Sequence, residues 1–166
     1  MDHKVPASPL SKGMELTAWV LVLLALALAI WGMCTLPDTI ATHFDGAGNP
    51  DGYGKPGILI LFPILEILVL GIFSLVTHLV APENWNMPFR VEKQNAGQVY
   101  SIIAGMLAAV ELETAVYFLL IEIQTIRQSG KGFLLGVGLY LGAMTLTLVL
   151  GIWRAWRKSR EPQQND

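Results

Sequence analysis

Four long apolar runs constrain this chain more than any other feature of its sequence. A helix needs about 20 mostly apolar residues to cross the hydrocarbon core of a bilayer. Hydrophobic residues make up 53% of the 166 residues and charged residues 14%, against about 25% charged in soluble domains. The runs are Leu16–Leu36, Gly57–Val80, Val99–Ile126 and Gly132–Trp153. We therefore predict an all-α fold, an integral membrane bundle of four transmembrane helices.

Lysine and arginine are distributed unequally between the two sides of such a bundle. Eight of them fall in the N-terminal tail, the second loop and the C-terminal tail, and three fall in the other two loops. Loops rich in Lys and Arg stay in the cytoplasm. We therefore expect both termini to be cytoplasmic, with tails at 1–13 and 155–166 around a transmembrane domain at 14–154. The loop Pro37–Pro56 is then external, and the loop Ala81–Gln98 is cytoplasmic.

Charge, cysteine content and motif content exclude several classes of function. A net charge of -2 gives no reason to expect a nucleic-acid partner. The single cysteine, Cys34, rules out an intrachain disulfide and argues against a cysteine-based metal site. The sequence contains no G-x-S-x-G, P-loop or H-E-x-x-H motif. We therefore predict a non-enzyme with no catalytic residues, no cofactor and no metal, whose first partner is the lipid bilayer.

The external loop combines many turn-forming residues with a few apolar side chains. Glycine and proline recur throughout its second half, which is typical of turns. Ile40, Phe44 and Tyr53 could anchor the loop against the helices. Two alternatives therefore stay open, a floppy linker and a folded cap.

Polar side chains in the same loop could either bind a metal or shape the backbone. His43, Asp45 and Asp51 are residue types that bind metals, but their spacing matches no strong motif. Asp45, Asn49 and Asp51 can instead accept hydrogen bonds from nearby backbone N–H groups in Asx turns. We favour the turn interpretation over the metal site.

Four glutamates interrupt the apolar runs. They are Glu66 in the second run and Glu111, Glu113 and Glu122 in the third. A charged carboxylate at the bilayer centre costs roughly 2.5–3.5 kcal/mol on insertion scales, and no Lys or Arg lies at mid-membrane to pair with these acids. We therefore expect them to be protonated. At ~100° per residue, Glu111 and Glu113 lie on different helix faces, whereas Glu111 and Glu122 share one stripe.

These acids allow two interpretations. The first, which we favour, is that protonated carboxyls form hydrogen bonds between helices and serve packing. The second is a proton or cation relay along Glu122, Glu66 and either Glu113 or Glu111.

The fourth run has no charged residue before Arg154 and is rich in glycine. The link that precedes it is about five residues long, so we expect the last two helices to form an antiparallel hairpin. Gly132 and Gly136 form one G-x-x-x-G motif, and Gly138 and Gly142 form another on a different face. The fourth helix is thus a candidate surface for homo-oligomerisation.

The stretch LPDTIATHFDGAGNPDGYGKP carries a recognisable motif. It resembles the pattern L-P-x-x-I-P-x-H-F-x-x-x-G-x-P-D-x-[WY]-x-x-K, which marks a bacterial membrane family of unknown function. The same domain forms the N-terminal half of SdpI-type immunity proteins. The matching residues are Leu36, Pro37, Ile40, His43, Phe44, Gly48, Pro50, Asp51, Tyr53 and Lys55. Ala41 stands where the family usually has proline. The resemblance implies a multi-pass protein of the bacterial cytoplasmic membrane.

The cytoplasmic loop adds a second motif. The stretch NWNMPFRVEKQNAGQVY is similar to the family's N-Y-P…T-x-E-N-A…Y segment. The matching residues are Asn86, Pro88, Asn95, Ala96 and Tyr100. The resemblance therefore covers one loop on each side of the membrane.

The resemblance and the membrane acids lead to two expected functions. The first is a binding or signalling module, or a toxin-immunity-like module, whose external motif recognises a peptide or protein. The alternative is a small proton-coupled transporter or channel subunit that uses the intramembrane glutamates. A metal-dependent enzyme with ligands in the external loop is the least favoured hypothesis.

Overall fold

The structure, a computed structural model, describes residues 8–162 and contains four α-helices within them. They are α1 (Pro9–Thr35), α2 (Leu61–Leu79), α3 (Ala96–Ile126) and α4 (Phe133–Ser159). A 3-10 helix, Pro56–Ile60, leads into α2, and another, Lys93–Asn95, leads into α3. All four α-helices of this described part are long and apolar enough to cross a membrane. The predicted helical membrane bundle is confirmed, and the chain is a multi-pass membrane protein.

The first helix begins earlier than its apolar run. Ser8 is its N-cap, since the Ser8 side chain accepts a hydrogen bond from the backbone N–H of Ser11 at 3.1 Å. Pro9 suits the first turn because it has no N–H to leave unpaired. The helix ends before Pro37, and Leu36 is extended, with φ -78° and ψ 156°. Residues 9–13 of the predicted tail at 1–13 are therefore helical, and residues 1–7 lie outside the described part.

The fourth helix continues past its apolar run. It extends to Ser159, so the first residues of the predicted tail at 155–166 are helical. Residues 163–166 lie outside the described part. The side of the membrane on which the two termini lie stays a prediction, since the same fold fits either orientation.

Helix α3 is the centre of the bundle and packs against both α1 and α4. Alanines on α1 lie fully buried in these contacts, because small residues let helices approach closely in a membrane. Tyr140 of α4 stacks on Tyr117 of α3, with ring centroids 4.3 Å apart. The predicted antiparallel pairing of the last two helices is correct.

Much of α4 faces outward. No residue in its most apolar stretch is buried within the described chain. A Cβ added at Gly136, Gly138 or Gly142 would meet no atom of the described residues within 4 Å. The motif glycines are therefore not used for packing inside one copy, and homo-oligomerisation through α4 stays a prediction.

The loop 37–56, which we predict to be external, is folded rather than floppy. It forms a hairpin of two antiparallel strands, β1 (Ile40–Phe44) and β2 (Pro50–Gly54), with Ile40 opposite Gly54 and Phe44 opposite Pro50. Ile40 is buried against Ala29 and Leu59, so it anchors the strand as expected. We call this end of the bundle, which also holds the α3–α4 turn 127–132, the hairpin face.

The loop at the opposite end is also folded. Residues 81–95 lie over the start of α3 and the end of α4, and we call this end the cap face. Phe89 and Met87 pack against a buried cluster that contains Val99, Ile103 and Ala155. The loop is thus held in place by an apolar core.

Trp85 holds this loop to the end of α2. Its indole N–H lies 3.3 Å from the carbonyl oxygen of Val76 and 3.2 Å from that of Val80, and its ring meets Tyr100 edge to face. Carbonyls in the last turn of a helix have no partner inside the helix. The tryptophan therefore supplies a donor that α2 cannot supply itself.

Replacing Trp85 with Phe is expected to destabilise the protein by about 0.5–1.5 kcal/mol, because it removes one hydrogen-bond donor and keeps most of the apolar ring. Thermal unfolding in detergent, followed by circular dichroism, measures the change. Trp153→Phe is the matched control, since the Trp153 side chain is exposed and donates no hydrogen bond within residues 8–162. An equal loss in both variants would contradict the role given to Trp85.

Candidate functional site at the hairpin face

The turn of the hairpin is built around Asp45. Its Oδ1 accepts hydrogen bonds from the backbone N–H of Ala47 at 2.9 Å and of Asn49 at 2.8 Å. The Asn49 side-chain amide donates to Oδ2 at 3.2 Å. These bonds favour the charged carboxylate, and the one from the Asn49 backbone is the first cause of a pKa for Asp45 below its ordinary value. The predicted Asx turn is confirmed for Asp45.

Gly48 brings the hairpin against the α3–α4 turn. Its φ of 85° lies in the left-handed region that favours glycine. A Cβ on Gly48 would lie 2.7 Å from the carbonyl carbon and oxygen of Gly130. A Cβ on Gly130 would in turn lie 2.6 Å from Phe44. The backbones of the hairpin and the turn are therefore in direct contact.

Gln128 makes the second docking contact. Its Oε1 accepts a hydrogen bond from the backbone N–H of Ala41 at 2.5 Å, and its side-chain amide donates to the carbonyl of Thr125 at 2.6 Å. The residue has a φ of 55°, which is uncommon for a residue with a side chain. Gln128 thus bridges β1 and the end of α3.

His43 and Asp51 pair on the exposed side of the hairpin. Their Nδ1 and Oδ1 atoms are 2.5 Å apart, and both side chains are largely accessible. Asp51 therefore bonds to a side chain rather than forming the Asx turn predicted for it. Asp45 is engaged in the turn, and residues 8–162 contain no group of three His, Cys, Asp or Glu side chains able to hold a metal.

A groove lies between the hairpin and the helix ends, with a volume of about 260 Å³. We call it the hairpin groove. The hairpin lines it with Thr42, His43 and Phe44. The helices and the turn line it with Phe62, Ile121, Gln124, Thr125, Ser129, Gly130 and Phe133. Its walls are mainly apolar, with a few groups able to form hydrogen bonds.

The other residues of the external motif do not line this groove. Pro37, Pro50 and Lys55 are exposed, and Gly48 is buried in the docking contact. Pro37 ends α1, and Lys55 precedes the 3-10 helix that leads into α2. The motif thus divides into residues that shape the hairpin and residues, His43 and Phe44, that face the groove.

Three of the four membrane glutamates are buried inside the bundle. Glu66 and Glu122 are fully buried, and Glu111 is 2% exposed. Neither carboxyl oxygen of Glu66 or Glu122 has a hydrogen-bond partner within residues 8–162, and Oε2 of Glu111 has none either. The favoured interpretation, hydrogen bonds between helices, is therefore not observed for Glu66 and Glu122 within these residues.

The acids do not form one line. Glu66 interacts electrostatically with Glu122, towards the hairpin face. Glu111 interacts with Glu15 and His78 near the cap face, where His78 Nε2 lies 2.6 Å from a Glu15 oxygen. The acids of the hypothetical relay therefore lie in two separate clusters.

Glu113 belongs to neither cluster. Its Oε1 accepts a hydrogen bond from the hydroxyl of Thr147 on α4 at 2.6 Å. The prediction that Glu111 and Glu113 lie on different faces is confirmed. Of the four acids, Glu113 is the one that forms the predicted hydrogen bond between helices within residues 8–162.

Sequence reasoning missed several residues of these sites. Gln124, Gln128 and Ser129 shape or line the groove, and Glu15 completes the cap-face cluster. The sequence presents the polar turn after α3 as a short connection, and its run of polar residues is the available signal. In the second motif, which we predict to be cytoplasmic, Asn86 and Pro88 are exposed. Asn95 donates hydrogen bonds to backbone carbonyls at the end of α4, and Tyr100 packs against Trp85.

Comparison with known families agrees with the external motif. Residues 20–67 match a family described as a domain of unknown function, DUF1648. This segment covers most of α1, the hairpin and the start of α2 as far as Ile67, and it excludes the motif in the loop 81–98. No curated protein and no solved structure gives a significant match.

Proposed function

We propose that this chain is a recognition module of the bacterial cytoplasmic membrane, whose hairpin groove binds one side chain of a peptide or protein. The observation that carries this proposal is the composition of the groove wall. His43 and Phe44 of the external motif line it together with residues from α2, α3 and α4. A partner seated there would contact the motif and the ends of the spans at once.

The size of the groove supports a peptide anchor rather than a whole small molecule. Its volume of about 260 Å³ is below the ~300–1,000 Å³ of typical small-molecule pockets. Phe44, Phe62 and Phe133 suit one large apolar side chain. His43 and Gln124 supply polar atoms at its edge that can bond a peptide backbone.

The position of the groove supports an amphipathic partner. Phe62 and Ile121 belong to the spans, whereas His43 belongs to the hairpin beyond them. The groove therefore lies at the membrane boundary, where amphipathic peptides insert their apolar side chains. Binding of a membrane-active peptide toxin there is the immunity-like form of this function.

A fluorescence titration tests the proposal. In a Cys34→Ser background, Gln124→Cys carries an environment-sensitive fluorophore, and the protein is placed in nanodiscs. A panel of amphipathic antimicrobial peptides is then added. We expect at least one peptide to give a saturating emission change, because its apolar side chain enters the groove beside the fluorophore. Phe44→Ala should weaken this binding about tenfold or more, which is the loss expected for a buried aromatic anchor.

A fluorophore at Tyr53 is the matched control. Tyr53 lies on the same hairpin, is 66% exposed and does not line the groove. Peptides that change the emission of both labels equally are binding the membrane or the hairpin surface. That result, or no saturating change at Gln124 with any peptide, would contradict the proposal.

The buried glutamates favour a second function, a small proton-coupled transporter or channel subunit. Acids inside a membrane usually mark ion or proton pathways, and Glu66 and Glu122 are fully buried without hydrogen-bond partners in residues 8–162. Proton flux into proteoliposomes that Glu66→Gln abolishes would support it. Absence of flux, or flux unchanged in this variant, would contradict it.

A further inference from the structure

The cytoplasmic motif lies far from the hairpin groove, so recognition there does not explain it. At the cap face, its residue Asn95 joins two segments that are distant in the sequence. The Asn95 side-chain amide lies 3.4 Å from the carbonyl oxygen of Ser159 and 3.0 Å from that of Glu161. The end of α4 is therefore fixed against the loop that precedes α3.

A second groove lies beside this contact, and we call it the cap groove. It has a volume of about 420 Å³. Phe89 and Arg90 line it from the loop, and Trp156 and Arg160 line it from α4. The groove thus combines two guanidinium groups with two aromatic rings at the end of a membrane span.

The charges around the cap groove are unbalanced. Its two acids each have a cation nearby: Glu92 lies 3.9 Å from Nε of Arg90, and Glu161 pairs with Lys158. A second set of cations has no such partner. Arg154, Arg157 and Arg160 are exposed and have no carboxylate partner among residues 8–162.

Tryptophan rings hold two of these arginines in place. The guanidinium of Arg157 lies 5.0 Å from the centre of the Trp153 ring, and that of Arg160 lies 4.3 Å from the centre of the Trp156 ring. Arginine stacked on an aromatic ring keeps its hydrogen-bond donors free for an anion. Tryptophan is also enriched where a helix leaves the hydrocarbon core.

We propose that the cap groove and the arginines beside it bind the headgroup of an anionic phospholipid. A phosphate with two oxygens accessible matches the planar donors of arginine. The cationic residues directly continue the apolar α4, so the acyl chains of the same lipid can lie along its exposed surface. This continuity favours a lipid over a free anion. Basic clusters at the end of a span attract anionic lipids.

Quenching of tryptophan fluorescence by brominated lipids tests the proposal. The full chain is reconstituted in mixtures of phosphatidylcholine and phosphatidylglycerol, with the bromine on one lipid or the other, at constant ionic strength. The difference between the protein and its Trp156→Phe variant isolates the signal of Trp156. We expect brominated phosphatidylglycerol to quench Trp156 more strongly than brominated phosphatidylcholine does.

Variants identify the residues responsible. The double variant Arg157→Gln, Arg160→Gln should lower the preference for phosphatidylglycerol at least about fivefold, which corresponds to the loss of one lipid–arginine attraction. Asn95→Ala should lower it as well, because the groove loses the contact that fixes its wall. Arg127→Gln with Lys131→Gln removes two cations at the hairpin face and should leave the preference unchanged.

Two results would overturn the proposal. One is equal quenching by both lipids in the unaltered protein, or a preference that the arginine variant retains. The other is displacement of brominated phosphatidylglycerol by inorganic phosphate at matched ionic strength, which would assign the site to a free anion. Circular dichroism and size-exclusion chromatography confirm that each variant is folded before quenching is compared.

Discussion

Replacing Gly48 with Ala is expected to release the hairpin from the α3–α4 turn. An L-residue in the left-handed region costs roughly 1–2 kcal/mol, and the new Cβ would lie 2.7 Å from the backbone of Gly130. A contact with backbone cannot be relieved by rotating a side chain. We expect at least about 2 kcal/mol of docking energy to be lost. Hydrogen exchange across residues 40–54 in nanodiscs measures the release.

Gly46→Ala is the matched control for this experiment. It lies in the same turn, has no positive φ, and its Cβ would meet only Leu134 at 3.9 Å among the described residues. Exchange in this variant should stay close to that of the unaltered chain. If both variants exchange alike, the hairpin is not held by the contact between Gly48 and Gly130. Peptide binding in the hairpin groove should be lost with Gly48→Ala alone, because Phe44 moves with the hairpin.

Replacing Glu122 with Leu is expected to stabilise the protein. The carboxyl group is fully buried, and neither oxygen has a hydrogen-bond partner in the described part of the chain. An unpaired buried polar group costs about 1–3 kcal/mol, and an apolar side chain of similar size removes that cost. The Tm in detergent, followed by circular dichroism, should rise accordingly. A chain that retains such a residue gives up stability for it, which favours a function for the acid.

Glu113→Leu provides the contrast. Its carboxyl accepts a hydrogen bond from Thr147, so the same substitution should leave that hydroxyl without its acceptor and lower the Tm. Opposite signs at the two positions would establish that pairing, rather than burial alone, sets the effect. A fall in Tm for Glu122→Leu would falsify the unpaired state and indicate that Glu122 has a partner in the membrane.

The membrane glutamates show what helix periodicity can predict about a buried residue and what it cannot. The rotation per residue placed Glu111 and Glu113 on different faces, and this holds since Glu113 bonds to α4 while Glu111 faces Glu15 and His78. Periodicity could not say which helix each face meets. Periodicity therefore could not predict whether a hydrogen-bond partner faces Glu66 or Glu122, and none does among residues 8–162.

The hairpin illustrates a second limit. Turn residues indicated an ordered cap as one of two alternatives, and Asp45 forms the Asx turn that its type and spacing favour. The docking of that hairpin depends on Gly130 and Gln128, which the sequence presents only as part of a short connection. The polar run in that connection indicates side chains that can form hydrogen bonds, but it does not indicate which distant segment they receive.

The sequence by itself determined the spans of this protein, because crossing a bilayer depends on the length and hydropathy of one continuous segment. It also determined the helix termini set by local chemistry, such as the end of α1 before Pro37. Only the tertiary structure decided that α3 is central and that grooves lie at both ends of the bundle. These features rest on contacts such as that between Ala41 and Gln128, which are 87 residues apart. Such contacts form only when the helices pack, and hydropathy carries no information about which side chains then meet.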